Sequence, residues 1–156
     1  MQIKVKKTNN KAQLPTKGTT GAGAYDLYAH SISEEQDGLV VKVDVGLAFE
    51  VPEGYMLCLV PRSSLSKYGW VLSNSFGVVD SDFRGSVSFK FRCVPNKINV
   101  GKMSRRPNLN REEFPYKIGD RIGQCFLLPC IDMEFKSVRS LNETDRGTGG
   151  YGHTGK

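Results

Sequence analysis

The stretch LVVKVDVGLAFEVPEGYMLCLV, residues 39–60, decides the fold class. Its first part, LVVKVDV (39–45), alternates apolar and polar residues with the period of two that is typical of a half-buried strand. Two further short apolar runs, 47–51 and 55–60, lie on either side of the turn residues Pro52–Gly54. These three segments predict consecutive short strands.

The rest of the chain carries the same signal and almost no helical one. Alternation or short apolar runs predict further strands at 2–6, 24–29, 86–93, 125–131 and 132–138. No stretch has a sustained 3.6-residue apolar stripe, and only Ser63–Tyr68, which follows Pro61, has the features of a short helix. The pattern therefore predicts an all-β sandwich, jelly roll or barrel with one short helix.

Composition limits the class of protein. The chain has 156 residues, 38% of them hydrophobic, which fits one globular domain rather than a disordered chain. Its longest apolar runs, 55–60 and 125–131, fall well short of the ~20 residues that span a bilayer. The N-terminal MQIKVKK has charge but no apolar core, so no signal peptide is expected. We therefore expect a cytoplasmic protein with no membrane partner.

The cysteines agree with that compartment. They form no C-x-x-C pair, match no common zinc spacing, and stand in apolar, strand-like contexts. We expect all of them to be buried free thiols, as suits a reducing environment: Cys58, Cys93, Cys125 and Cys130.

The surplus positive charge is concentrated in one segment. The net charge is +6, from 22 Lys and Arg against 16 Asp and Glu. Residues 97–114 break the strand pattern and are expected to form a long, solvated loop. A nucleic acid or a regulatory protein is one possible partner of this loop, and a solvated loop without a partner is the alternative. Its basic residues all lie in the acid-free stretch 97–111: Lys97, Lys102, Arg105, Arg106 and Arg111.

Glycine marks a second special segment at the C-terminal end, in RGTGGYGHTGK. We therefore divide the chain into a β-domain, residues 1–140, with the basic loop 97–114 as an insertion, and an arm, residues 141–156, that is expected to be flexible.

An acidic cluster, GVVDSDFRG at 77–85, is a first candidate for chemistry. If this segment is a strand, Asp80 and Asp82 point to the same face. Two such carboxylates can supply a general base or gather a divalent cation. The alternative is a polar hairpin corner in which Asp82 pairs with a nearby arginine.

Two other segments are suited to phosphate. PRSSLSKYG (61–69) places Arg62, a bidentate anion donor, before Ser63 and Ser64 at a possible helix start. The alternative there is an ordinary serine cap beside a solvated arginine.

The C-terminal G-x-x-x-x-G-H-T (147–154) resembles a Walker A loop but lacks the strand and helix of a P-loop. Its glycine N–H groups could still meet phosphate oxygens, and a solubilising tail is the alternative.

Taken in order, these segments resemble the five motifs of the homotrimeric dUTP nucleotidohydrolases (dUTP diphosphatases), and the match runs nearly end to end. The stretches that carry the resemblance are GAYDLYA at 23–29, PRSSLS at 61–66, NSFGVVDSDFRG at 74–85, GDRIGQ at 119–124 and RGTGGYGHTG at 146–155.

The resemblance implies a jelly-roll-like or β-clip subunit that assembles as a homotrimer with three shared active sites. It implies hydrolysis of dUTP to dUMP and pyrophosphate by attack of water on the α-phosphorus, with Mg²⁺ present. Asp80 is then expected to be the base that deprotonates the water, and Arg146 an arginine finger. Asp26 is expected to reach Mg²⁺ through water, while the triphosphate holds the ion.

The resemblance also assigns substrate contacts by position. A phosphate cradle is expected from Arg62, Ser63, Ser64 and Gln124. A uracil slot is expected from Asn74, the backbone of Gly77, Val78 and Val79, and Ser88, with the Phe83 ring under the deoxyribose. The arm is expected to contribute Tyr151 as a ring over uracil, followed by Gly152, His153 and Thr154.

Some positions depart from the family pattern. Phe83 stands where Tyr is usual, Tyr151 where Phe is usual, and Gly123 where Ala is common, a change expected to be neutral. The segment 97–114 is longer by about fifteen residues than the plain hairpin expected there.

A dCTP deaminase shares the fold, but it needs a glutamate in the stretch equivalent to SVSFKF (86–91), which has no acid. Non-enzymatic binding through the basic loop is the other alternative.

Overall fold

A computed structural model describes residues 1–36, 39–94 and 113–150. In these ranges the chain forms short strands and one 3₁₀ helix, Ser63–Lys67, so the prediction of an all-β fold with one short helix is confirmed. The strands are β1 (Lys4–Lys7), β2 (Tyr25–Tyr28), β3 (Ser31–Glu35), β4 (Val40–Asp44), β5 (Leu47–Glu50), β6 (Tyr55–Pro61), β7 (Trp70–Leu72), β8 (Gly77–Val79), β9 (Ser88–Cys93) and β10 (Arg121–Pro129).

The strands form three antiparallel sheets. A two-stranded ribbon pairs β1 with β5, one four-stranded sheet has the order β2-β10-β6-β8, and the other has the order β3-β4-β9-β7. The two larger sheets enclose the apolar core, and their largest fully buried side chains include Trp70, Phe89 and Phe91. Because β7 and β8 are consecutive in the chain but belong to different sheets, residues 73–76 connect the two layers.

An aromatic cluster closes one end of the core. Trp70 lies edge-on to Phe114, with 5.1 Å between ring centroids, and Phe91 contacts both Phe114 and Tyr116. Phe114 is the last residue of the expected solvated loop, so that expectation is wrong at this end: the ring is half-buried against the core. The remainder of the basic loop, apart from Glu113, lies outside the described residues.

The expected strand at 132–138 does not form. Its residues pair with no strand among the described residues, and their side chains are exposed. The alternating pattern is present in the sequence, but alternation gives a strand only where a neighbouring strand takes the backbone hydrogen bonds. Three other strands, β3, β7 and β8, were not predicted.

Burial of the thiols follows the prediction with one exception. Cys58, Cys93 and Cys125 are buried and free, and burial raises the pKa of Cys125 to about 12. Cys130 is exposed, because it follows Pro129 at the point where the chain leaves β10. In the described part of the chain, no helix is long and apolar enough to cross a membrane.

Gly123 is a structural requirement rather than the neutral change expected from sequence. It is buried in β10, and a Cβ atom there would overlap the ring of Phe89. Phe89 is itself held in a parallel stack with Phe91, with 6.0 Å between centroids. The large ring at 89 and the missing side chain at 123 therefore fit one another.

Replacing Gly123 with Ala is expected to destabilise the fold by ~1–3 kcal/mol, since the core cannot move the Phe89 ring without strain. Urea unfolding at one protein concentration measures this. Gly21→Ala is the matched control, since nothing lies within 4 Å of a Cβ at that position. Shortening the ring in the double variant Gly123→Ala with Phe89→Leu should recover part of the loss. An unchanged unfolding midpoint for Gly123→Ala would contradict the overlap.

Candidate functional site

A buried carboxylate, Asp26, is the centre of the first group of site residues. Asp26 lies in β2 opposite Gln124 of β10, and it is 3% exposed. Gln124 Nε2 donates to Asp26 Oδ1 at 3.1 Å, and Arg121 Nη1 donates to Oδ2 at 3.2 Å. Arg62 Nε forms an ion pair with Oδ1 at 3.4 Å. The structure thus brings together three residues predicted for the site, Asp26, Arg62 and Gln124, and adds Arg121.

A β-bulge explains why Arg121 and Gln124 reach the same carboxylate. Residues three apart on a regular strand point to opposite faces, because side chains alternate. The pairing of β10 with β2 shifts between Arg121 and Gly123, and the inserted residue brings the two side chains to one face. Arg121 belongs to the GDRIGQ stretch, but neither its residue type nor its spacing indicated this contact.

Arg62 and the two serines follow directly on β6. Arg62 is the residue before the 3₁₀ helix, and its Nη1 donates to the backbone oxygen of Arg121 at 3.4 Å. Ser63 and Ser64 form the first turn of that helix, which has no side-chain cap. Neither serine caps the helix, so the serine-cap alternative does not hold.

Tyr116 is a second residue that sequence reasoning missed. Burial raises the pKa of the Tyr116 hydroxyl, and the positive charge of Arg62 acts in the opposite direction. Its hydroxyl oxygen is inaccessible to solvent and has no partner at hydrogen-bonding geometry in the described part of the chain. No motif marks Tyr116, because its burial arises only from the packing of the aromatic cluster.

A separate cleft of about 360 Å³ contains the second group of site residues. Asn74, Gly77 and Ser88, all predicted for the uracil slot, line it together with Leu59, Leu72 and the β9 residues Phe89 and Lys90. Gly77 is required here, since a Cβ would lie 2.9 Å from Leu59 Cβ.

The cleft lies beside the start of the edge strand β8, which contributes Gly77 to its lining but neither Val78 nor Val79. β8 ends the sheet order β2-β10-β6-β8, so one side of β8 pairs with no strand among the described residues. Unpaired strand N–H and C=O groups are donors and acceptors at fixed spacing, which a flat ring with a polar edge can match. Val78 and Val79 continue this strand, with Val78 exposed and Val79 buried.

Asp80 stands directly after β8, at the start of a turn. Phe83 N donates to the Asp80 backbone oxygen at 3.2 Å, and Arg84 Nη1 donates to the backbone oxygens of Ser81 and Phe83 at 2.6 and 3.0 Å. Asp80 and Asp82 therefore lie in a turn, and the expectation that they share one face of a strand is wrong. The side chain of Arg84 is bonded to the turn backbone rather than to Asp82.

The turn also positions the predicted sugar-binding ring. Phe83 is 44% exposed, and its ring lies over Gly85, where a Cβ would come within 3 Å of the ring. The carboxylate of Asp80 is exposed and makes no hydrogen bond or ion pair to another described residue. Such a carboxylate is free to accept a proton from water.

Within the described ranges, no hydrogen bond or ion pair connects the predicted arm residues to the Asp26 group or to the β8 cleft. Arg146 lies in a turn in which its Nε donates to the backbone oxygen of Gly149 at 3.0 Å. Tyr151, Gly152, His153 and Thr154 lie outside the described residues. Likewise, no hydrogen bond or ion pair among described residues joins the Asp26 group to the β8 cleft.

Replacing Asp26 with Asn should destabilise the protein by about 1–2 kcal/mol, because the neutral amide cannot compensate Arg62 and Arg121, which are only partly buried. Chemical unfolding at fixed protein concentration measures the change. Asp132→Asn, at an exposed position away from both groups, is the matched control. Equal midpoints for the two variants would show that Asp26 does not organise the cradle.

Comparison with known proteins adds to this geometry. The family model described as dUTPase matches residues 10–105 and 107–155. The deoxyuridine 5'-triphosphate nucleotidohydrolase of Finegoldia magna is 37% identical over 163 aligned positions, covering 99% of both chains. That of Nautilia profundicola is 35% identical and covers both chains completely.

Solved structures of lower identity share the fold. A variant of the dUTPase of Staphylococcus bacteriophage 80alpha, with dUpNHpp, aligns with a TM-score of 0.75 at 21% identity and covers 99% of both chains. A variant of the dUTPase of phage phi11, described with a structural Mg(II) ion, aligns with a TM-score of 0.68 at 19% identity, covering 92% of this chain and 100% of that one. The expected jelly-roll-like or β-clip fold is thereby confirmed. By its sequence across nearly the whole length, this chain belongs to the dUTPase family.

Proposed function

We propose that this protein hydrolyses dUTP to dUMP and pyrophosphate, by Mg²⁺-assisted attack of water on the α-phosphorus. The observation that carries the proposal is that one chain has both a cleft beside its edge strand β8 and, separately, a cluster of two arginines around Asp26. The cleft suits a pyrimidine and the cluster suits a triphosphate. Such an activity limits uracil incorporation into DNA and supplies dUMP for dTMP synthesis.

The cleft supplies base recognition. Backbone groups of Gly77, Val78 and Val79 on the outer side of β8 would pair with the edge of uracil, beside Asn74 and Ser88. Cytosine presents an amino group where uracil presents a carbonyl, so it leaves a buried donor or acceptor unpaired. Sites built on hydrogen bonds reject such analogues strongly, by about 10⁴–10⁵.

Asp80 supplies the base for the reaction. It follows β8 immediately, so a nucleotide whose base lies along β8 carries its phosphates toward the Asp80 turn. The exposed, unpaired carboxylate takes the proton of the attacking water, while the Phe83 ring packs under the deoxyribose and leaves no room for a ribose hydroxyl. General-base catalysis of this kind supplies roughly 10²–10⁴ in rate.

The Asp26 group supplies the phosphate cradle. Arg62, Ser63, Ser64 and Gln124 donate to phosphate oxygens, and Asp26 holds the cationic side chains in place. Because Arg62 is already oriented by Asp26 and by the Arg121 backbone, it loses little rotamer freedom when the anion arrives.

The donor set fits a Mg²⁺ ion that is carried mainly by the substrate. No group of three or more His, Cys, Asp or Glu side chains within the described ranges could hold a metal ion. Asp26 already accepts from Arg62, Arg121 and Gln124, and a carboxylate has about four acceptor sites, so one remains for a metal-bound water. When bound, the ion neutralises charge on the triphosphate.

The active assembly in this proposal is a homotrimer in which each site is shared. Asp26 on β2 and the cleft beside β8 lie at opposite edges of one sheet, with β10 and β6 between them, so a neighbouring copy would bring its cradle to each cleft. The segment after β10 also exposes apolar side chains that a neighbouring copy could cover: Ile131 (81% exposed), Met133 (71%), Phe135 (87%), Val138 (53%) and Leu141 (86%). Burying such side chains favours association.

The arm completes the site in this proposal. Arg146 would act as an arginine finger, a role worth about 10³–10⁵ in phosphoryl transfer. Tyr151 would stack on uracil, with Gly152, His153 and Thr154 beside the phosphates. A glycine-rich segment loses much entropy on ordering, so the arm should close only over the complete triphosphate.

The buried free thiols suit a reducing compartment such as the cytoplasm.

Pyrophosphate release from dUTP, dCTP, dTTP and UTP with Mg²⁺ tests the proposal. The wild-type protein is expected to act on dUTP far more than on the others, and Asp80→Asn is expected to lower its kcat by about 10²-fold or more. Asp82→Asn, two residues along the same turn, is the matched control and should retain most activity. Release from dCTP as fast as from dUTP, or full activity of Asp80→Asn, would refute the assigned roles.

A further inference from the structure

The turn that follows β8 carries two of the proposed functional groups but has little packing to hold them. Asp80 and Phe83 are both exposed, and of the two residues between them Ser81 is half-buried and Asp82 is exposed. A backbone bond closes the turn, from Phe83 N to the Asp80 oxygen, and its 3.2 Å is at the long end of the usual range. Segments with few buried contacts open readily, so the turn needs a further tie to keep its two groups in place.

The side chain of Arg84 supplies that tie. Its Nη1 donates to the backbone oxygens of Ser81 and Phe83, at 2.6 and 3.0 Å. An Nη atom carries two hydrogens in the fixed plane of the guanidinium, so one nitrogen can bridge two carbonyls. The peptide units of these carbonyls precede Asp82 and follow Phe83. The guanidinium therefore fixes the backbone on both sides of residues 82–83.

The Phe83 ring is bounded on a second side by Gly85. A Cβ atom at Gly85 would lie 2.5 Å from Cζ of the ring, so the ring lies directly against the glycine. The ring is nevertheless 44% exposed, and the core does not hold it. Its position therefore depends on the backbone of residue 83, which Arg84 constrains directly.

The surroundings of the guanidinium favour this placement. Arg84 lines a cleft of about 510 Å³ together with Lys4 of β1 and Glu50 of β5. Lys4 Nζ donates to Glu50 Oε1 at 2.8 Å, and this bond, more than the charge of Arg84, lowers the pKa of Glu50. Glu50 is thus ionised near neutral pH, and a carboxylate on the same cleft attracts the guanidinium.

We propose that Arg84 is a positioning residue that sets the preference for deoxyribose over ribose, by holding the Phe83 backbone and so the ring on which the sugar packs. This role rests on the proposed function. The same tie keeps Asp80 in a fixed place relative to the ring, so it serves the rate as well as the selection. A lysine is a point charge on a flexible stem and cannot bridge the two carbonyls in one plane. When the tie is lost, the ring gains room to move and a 2′-hydroxyl fits beside it.

Arg84→Lys tests this role through the ratio of kcat/KM for dUTP to kcat/KM for UTP. We expect the ratio to fall about 5- to 10-fold, the range of one hydrogen bond, because turnover of dUTP drops while that of UTP stays the same or rises. Arg92→Lys, the same change at an exposed position of β9, is the matched control and should keep the wild-type ratio. Since Arg84 is exposed, its variants should fold, and Arg84→Gln should also lower the ratio.

A double-mutant cycle shows whether Arg84 acts through the ring. In a Phe83→Ala background the ring is absent, so Arg84→Lys should cause no further fall in the ratio. A merely structural arginine would lower the melting temperature and leave the ratio unchanged. That result, or an equal fall in both backgrounds, overturns the positioning role while dUTP hydrolysis stands. Wild-type protein that fails to hydrolyse dUTP overturns the proposed function and this role together.

Discussion

The buried carboxylate of Asp26 is the contact on which the proposed phosphate-binding half of the protein depends. A charge that is 3% exposed is tolerated only when it is paired. Its partners come from the end of β6, through Arg62, and from β10, through Arg121 and Gln124. One side chain of β2 therefore ties three neighbouring strands together. It also holds two guanidinium groups in place before any anion arrives, so little reorganisation is left for the binding step.

The same sheet separates this cradle from the part of the molecule that suits a base. β8 forms the opposite edge from β2, and the cleft beside it opens between the two sheets. In the proposed function each group alone is half a site, because a single nucleotide carries both a base and a triphosphate. The exposed apolar residues of 131–141 provide a surface on which copies of the chain can associate. In the proposed homotrimer, assembly and catalysis are linked, because the surface that would bring copies together would also complete the site.

Most of the strands and site residues could be predicted from the sequence, through the alternation of apolar and polar residues and through the sequence motifs. Alternation located β4 and β9, and the five stretches located Asp26, Arg62 and Asn74 in their groups. Prediction failed where a neighbouring strand or side chain determines the local structure. Residues 132–138 alternate but have no partner strand among the described residues, whereas β7 and β8 are too short to show a period. A bulge, which no period reveals, brings Arg121 to Asp26, and only the packing of the aromatic cluster buries Tyr116.

Mixing two inactive variants tests the shared site most directly. Asp80→Asn lacks the base but keeps its cradle, and Arg62→Ala lacks part of the cradle but keeps its base. In randomly mixed trimers, three-quarters of assemblies contain both chains and each has one intact site in three, so co-refolding should restore about one quarter of wild-type activity on dUTP. Activity no higher than that of either variant alone would contradict the account, because it would place both halves of the site in the same chain.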